Sequence, residues 1–132
     1  MCLGCGASLS KRSQKVYCGN TCQAMTRRDE SIKLWLVSGE AWVDSRRGHY
    51  IRSFLGEAQS GRCAICGGAS IWQYSPLVLV LDHIDGNSAN NCRENLRLVC
   101  PNCDSQLPTY KSRNRGNGRS LRRRRYADGK SY

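Results

Sequence analysis

Cys63-Ala64-Ile65-Cys66, Asp82-His83-Ile84-Asp85-Gly86-Asn87 and Asn95-Leu96-Arg97-Leu98-Val99-Cys100-Pro101-Asn102-Cys103-Asp104 all fall within one interval of the chain, residues 63–104. Two Cys-x-x-Cys pairs bracket it. Each pair supplies two thiolates from a tight turn, and together they complete the tetrahedral sulfur shell that Zn²⁺ favours. The spacer is far longer than that of a simple zinc ribbon and carries a histidine and several oxygen donors. The interval therefore reads as a metal-framed unit with chemistry inside it.

Inside this frame, Leu77-Val78-Leu79-Val80-Leu81 reads as a strand that delivers Asp82 and His83 at its end. Asp85-Gly86-Asn87 is a turn signal, and the polar run Asn87 to Asn95 is a loop. Leu96-Arg97-Leu98-Val99 is a second strand, and Cys100-Pro101 opens a helix with proline at its first position. The expected order is strand, loop, strand, helix over a unit spanning 61–115. Asp85 before Gly86 is ordinary turn chemistry and stays outside the candidate site. Cys92, the ninth cysteine, belongs to neither quartet and is expected to be a free thiol.

Upstream, Cys2-x2-Cys5 and Cys18-x3-Cys22, with Gly4, Gly6 and Gly19 at the turns, read as a second four-cysteine zinc ribbon within 1–30. Such a ribbon is purely structural, or it presents Lys11, Arg12 and Lys15 to a phosphate backbone; the residues do not choose. A helical connector spans 31–60. Ile32, Trp35 and Leu36 precede Gly39, and Tyr50, Ile51, Phe54, Leu55 and Ala58 precede Gly61, each group at helical spacing. Trp35 and Phe54 are expected in the core. Arg27, Arg28, Arg46 and Arg47 line a DNA-facing surface or a solvated helix face, and His49 has no partner at ligand spacing.

At 132 residues the chain is one modest domain or two very small ones, with little core to share. Nine cysteines would suit a disulfide framework in a secreted chain, but there is no N-terminal apolar segment and Met1-Cys2-Leu3-Gly4-Cys5 is already a knuckle. A protein of a reducing cytoplasm, with metal-bound thiolates and no membrane span, is expected. The formal charge is +11, of which Lys111 to Tyr132 contributes +8. Eight thiolates on two zinc ions would take the remaining body near −1 and the whole near +7. The positive field thus sits in the 116–132 tail and its approach, a stretch without apolar period that reads as disordered and suited to a polyanion such as nucleic acid.

Together, Asp82-His83 after a strand, Asn95 before Leu96, and Cys100-Pro101-Asn102-Cys103-Asp104 opening a helix resemble the HNH endonucleases of the ββα-metal superfamily, in their zinc-knuckle phage and bacterial branch. The likeness runs on through Ser105-Gln106-Leu107-Pro108-Thr109-Tyr110-Lys111 and back to Cys63 and Cys66. It covers about half of the chain. The fold class it implies is a small α+β zinc-stabilised protein: a ββα-metal core framed by Cys63, Cys66, Cys100 and Cys103, preceded by the ribbon of Cys2, Cys5, Cys18 and Cys22 and by short helices.

The resemblance assigns His83 as general base, Asn95 as a brace for the loop, and Asp82 and Asp104 as ligands of a catalytic divalent metal. Each role meets a physical need. An imidazole near pKa 6.5 takes a proton from water at neutral pH, and a divalent cation stabilises charge building on the phosphate and the departing oxygen. The chain departs from the family at Asp104, where histidine is the usual third letter. Two carboxylates favour Mg²⁺ or Mn²⁺ over a nitrogen-preferring metal. Double-stranded DNA is the implied partner, nicked by a monomer or cut by a homodimer, with Arg97, Lys111, Arg113, Arg115, Arg122, Arg123, Arg124 and Arg125 as nucleic-acid contacts. The resemblance also implies the cytoplasm of a bacterium or phage-infected cell. The competing expectation is a non-catalytic zinc-ribbon DNA-binding or scaffold protein.

Overall fold

Six apolar side chains decide how the elements meet: Trp35, Ile51, Leu55, Leu79, Leu96 and Leu98 form one buried cluster, with Ala41, Tyr50, Phe54, Leu81 and Cys100 packed around it. The computed structural model describes residues 1–41, 49–114 and 127–129. The expectations placed on Arg46, Arg47, Arg115, Arg122, Arg123, Arg124 and Arg125, and on most of the 116–132 tail, lie outside the described residues.

Helix α1 (Asn20–Ser38) ends on Gly39, whose φ of 69° lets its N–H return to the Trp35 carbonyl at 2.7 Å. This left-handed stop is the one the sequence signals. Trp35 is fully buried, but Leu36 is 47% exposed, so the expected partner of Trp35 faces outward. Helix α1 reaches the core at the Trp35 turn, where the indole meets Phe54 of helix α2 (His49–Ala58) edge-on, centroids 5.4 Å apart. Ile51 and Leu55, one turn apart on α2, close the layer against the sheet.

A small hairpin follows, β1 (Ile71–Trp72) paired with β2 (Ser75–Pro76). Gln73 and Tyr74 both turn with positive φ, 46° and 65°. Two-residue hairpins demand that geometry, but asparagine and glycine are its usual signals.

Strand β3 (Val80–His83) begins three residues later than the apolar run suggests. Leu79 is drawn into the core, Val78 is 77% exposed and Leu77 N–H bonds the Ser70 carbonyl, so these residues form the approach to the strand. Strand β4 (Leu96–Val99) matches its sequence reading and pairs antiparallel with β3, with Asp82 opposite Arg97 and His83 opposite Leu96. Helix α3 (Pro101–Gln106) starts with proline at its first turn and is capped by the Cys100 sulfur, which accepts from Cys103 N–H. These three elements supply the ββα order.

The outer edge of β4 is held by a side chain. Gln59 Oε1 accepts from Leu98 N–H at 2.9 Å and its Nε2 donates to the Leu98 carbonyl at 2.8 Å. Ala64 N–H donates to the same carbonyl, tying the first knuckle to the strand.

At the N-terminus, residues 1–19 contain turns and no strand, and Cys22 stands on the first turn of α1. The ribbon expected there is thus a knuckle closed by a helix rather than by paired strands. Among the described residues no helix is long and apolar enough to cross a membrane.

Candidate functional site

Both sulfur quartets assemble. In Cys2, Cys5, Cys18 and Cys22, and again in Cys63, Cys66, Cys100 and Cys103, the four sulfurs lie within 4.8 Å of one another. A zinc tetrahedron with Zn–S bonds of about 2.3 Å has edges of about 3.8 Å, and the Cys5–Cys18 and Cys66–Cys100 sulfurs are 3.7 and 3.9 Å apart. Backbone donors reinforce this fit. Cys18 N–H and Gly4 N–H point at Cys2 Sγ, while Cys100 N–H and Ile65 N–H point at Cys63 Sγ.

Backbone hydrogen bonding, above all from Cys18, outweighs desolvation and lowers the Cys2 thiol to about 6. At Cys63 burial pushes upward, but the amides of Cys100 and Ile65 help to bring the thiol down to about 6. The last cysteine of each quartet goes the other way. Hydrogen bonding to Cys18 pushes Cys22 up to about 12, and hydrogen bonding to Cys100 does the same to Cys103. A pattern of one ready thiolate and crowded neighbours suits a divalent cation that neutralises the set. The two quartets are consistent with two zinc ions.

Between the second quartet's two knuckles lie the oxygen and nitrogen donors. Asp82 and His83 are consecutive on β3 and line a cleft of about 170 Å³ together with Leu81, Gly86, Ser88, Thr109 and Asn114. Asp82 is buried and accepts from Arg97 Nε at 2.7 Å. Asp104, on the first turn of α3, is raised above the ordinary carboxylate range, first by burial and then by the charge of Asp82. Helix α3, which carries Asp104, packs against β3, which carries Asp82, although 22 positions separate the two carboxylates in the sequence.

The loop between the strands is built on amide side chains. Asn95, 8% exposed, accepts from Asp85 N–H and donates to both Asp85 Oδ1 and the Asn90 carbonyl. Asp85 also accepts from Asn87 N–H and Asn90 Nδ2. Desolvation works against ionisation at Asp85, but these bonds prevail and hold its carboxyl below its ordinary value. Its carboxylate is a turn fastener. Gly86 has φ of 73°, and a Cβ there would meet Asn114 and, at 2.9 Å, Thr109 Cγ2; Asn114 Nδ2 bonds the Gly86 carbonyl at 2.7 Å. Asn91 was missed by sequence reasoning. Its Oδ1 sits 2.8 Å from His83 Nε2, and nothing in a polar loop distinguishes it from its neighbours Asn87 and Asn90.

The basic residues expected on nucleic acid are placed unevenly. Arg97 reaches Asp82, and Arg113 donates to the Ser105 and Leu107 carbonyls near the end of α3. Lys111, exposed and at φ 46°, holds its ammonium 5.0 Å from the Tyr110 ring centre. Cys92 stays outside both quartets. A larger groove of about 490 Å³ lies beside the N-terminal quartet, lined by Lys11, Gln14, Lys15 and Asn20 among others, and includes none of Asp82, His83 or Asp104.

The chain is 46% identical over 55 residues to the H-N-H endonuclease F-TflIV of Escherichia phage T5. The match supports the HNH endonuclease family. It covers 42% of this chain and 24% of the phage protein, so the chain spans about a quarter of that HNH relative's length. No family model matches the chain, and no solved structure does. The positions that the HNH likeness singles out, Asp82, His83, Asn95 and Asp104, fall on the end of β3, the turn entering β4 and the start of α3.

Proposed function

We propose that this chain is a metal-dependent HNH endonuclease that hydrolyses DNA phosphodiester bonds, nicking one strand at each visit. The observation that carries this reading is the placement of Asp82 and His83, consecutive on β3, in one cleft, with Asp104 on the helix that packs against that strand. DNA binding alone requires no such grouping.

In this reading His83 takes the proton from a water molecule as its oxygen attacks phosphorus, and the P–O bond to the sugar oxygen breaks. Asp82 and Asp104 would hold a divalent cation, Mg²⁺ or Mn²⁺, which would offset negative charge on the phosphate and the departing oxygen. Arg97 fixes the rotamer of Asp82. Asn95 holds the loop to which His83 belongs, so it supports the base without touching the substrate. Zinc on Cys63, Cys66, Cys100 and Cys103 would brace the ends of this unit, and zinc on Cys2, Cys5, Cys18 and Cys22 would brace the N-terminal knuckle.

The organisation that goes with this function is a four-cysteine zinc unit in 1–30, a helical connector in 31–60, the nuclease unit in 61–115 and a basic tail in 116–132. Double-stranded DNA is the partner. Arg97, Lys111, Arg113, Arg115 and Arg122 to Arg125 contact its backbone. A monomer has one such site and nicks; paired cuts require a homodimer. The setting is the cytoplasm of a bacterium or of a phage-infected cell.

The test is conversion of supercoiled plasmid to open circle in Mg²⁺ or Mn²⁺ by the full chain and by His83→Ala. Loss of nicking in the variant is expected. Equal nicking by both would overturn the mechanism, and none by either would return the chain to a non-catalytic zinc-ribbon DNA-binding or scaffold role.

A further inference from the structure

We propose that Asn91 is the positioning residue for His83, and that it determines which imidazole nitrogen is free to accept a proton. This rests on the reading of His83 as the base. The orientation of the Asn91 amide is fixed by chemistry on its far side. Asn91 Nδ2 lies 2.9 Å from the Ala41 carbonyl, which can only accept. The amide nitrogen must therefore face Ala41, and the amide oxygen faces His83 Nε2 at 2.8 Å. The flipped amide would set two oxygens against each other at Ala41. Since Oδ1 only accepts, Nε2 carries the hydrogen, and in the neutral ring the lone pair is on Nδ1.

A third contact makes this arrangement rigid. The Asn91 carbonyl accepts from the Trp35 indole N–H at 2.6 Å, and Trp35 is fully buried and packed edge-on to Phe54. Asn91 is thus held at its backbone oxygen by α1 and at its side-chain nitrogen by Ala41, just beyond the end of that helix. Its remaining polar side-chain atom, Oδ1, holds the imidazole. The helical connector thereby acts on the reaction: it aligns the ring through a single amide. A base held in one tautomer avoids losing the fraction of encounters in which the proton occupies the wrong nitrogen.

The experiment uses the full chain with its thiolate sites filled and uniformly ¹⁵N-labelled. Long-range ¹H–¹⁵N correlation at a pH where the ring is neutral reports the tautomer, with the His83 signals assigned by comparison with His49→Gln. The wild-type ring should carry its hydrogen on Nε2. In Asn91→Leu that signature should give way to a mixture, and kcat for plasmid nicking should fall about 10- to 100-fold with KM unchanged. A wild-type ring protonated on Nδ1 overturns the proposal without any variant. So does Asn91→Leu that alters neither tautomer nor kcat, or that raises KM alone. If the wild-type chain does not nick DNA, the functional reading fails, and the tautomer signature still decides whether Asn91 orients the ring.

Discussion

Arg97 and Asp82 face each other across the β3–β4 ladder, and Arg97 donates its Nε hydrogen to Asp82 Oδ2 at 2.7 Å. Asp82 is the deeper partner, with 7% of its side chain exposed against 27% for Arg97. The pair stands between the two expectations held for these residues. Arg97 serves the carboxylate directly, and any contact with a phosphate is made by a guanidinium already anchored at one end.

Replacing Arg97 by methionine should leave Asp82 buried without its partner and lower stability by about 1–3 kcal/mol, read by urea denaturation at neutral pH. The nearby frame of Cys63, Cys66, Cys100 and Cys103 should survive, so zinc content should not change. A variant as stable as the wild type would show that the bond carries no stability.

Asp104 offers a test with a sign. Its folded-state pKa is raised, by burial and then by Asp82, so its contribution to stability is fully present below the unfolded carboxyl value and is lost as the pH rises through the folded one. Asp104→Asn should therefore melt higher than the wild type at pH 7 in the absence of Mg²⁺ and Mn²⁺. The gain should shrink as the pH is lowered toward the carboxylate range. Nicking should disappear in the same variant, and added Mg²⁺ should raise the melting temperature of the wild type but not of the variant. Thermal unfolding with and without the cation reads all of this.

Metal analysis of the full chain should give about two zinc per molecule, and strong chelation should unfold both ends of the fold. Cys2 and Cys63 are depressed to about 6, so their thiolates contribute above the ordinary thiol value of 9.0 and that contribution is lost as the pH falls through about 6. Zinc affinity should accordingly weaken on acidification past that point. A stoichiometry near one would remove the quartet of Cys2, Cys5, Cys18 and Cys22 from the metal sites.

Most of the net positive charge lies from Lys111 onward. A chain lacking residues 116–132 should bind DNA more weakly, with a flatter dependence of log K on log salt, losing about 0.9 of slope for each phosphate contact removed. Its zinc content should be unchanged. An unaltered slope would assign the backbone contacts to the folded part.

What was legible in the sequence was whatever a local rule enforces. Cysteine spacing marked the two quartets because thiolates on a tight turn have little freedom, and Pro101 and Gly39 marked a helix start and a helix end through backbone geometry alone. Leu96 to Val99 showed its strand cleanly. Leu77 to Leu81 did not, because an apolar run looks the same whether its residues pair in a ladder or, like Leu79, simply drop into the core. Leu36 was misjudged for a related reason: spacing identifies a face, but how much of it is covered depends on what packs there, and α1 is buried only at Trp35. The hairpin at Gln73 and Tyr74 lacked the usual turn residues. Within the candidate site, Asp82 and His83 could be named from their neighbours in sequence, whereas Asn91 owes its place to Ala41 and Trp35, 50 and 56 positions away. Such a contact leaves no local trace.

The side chain of Gln59 occupies the outward-facing N–H and C=O of Leu98 in the middle of β4. A two-stranded sheet would otherwise offer that rim as a template for another molecule. With the Gln59 amide seated there and Ala64 N–H on the same carbonyl, Leu98 has neither its donor nor its acceptor left over for a third strand.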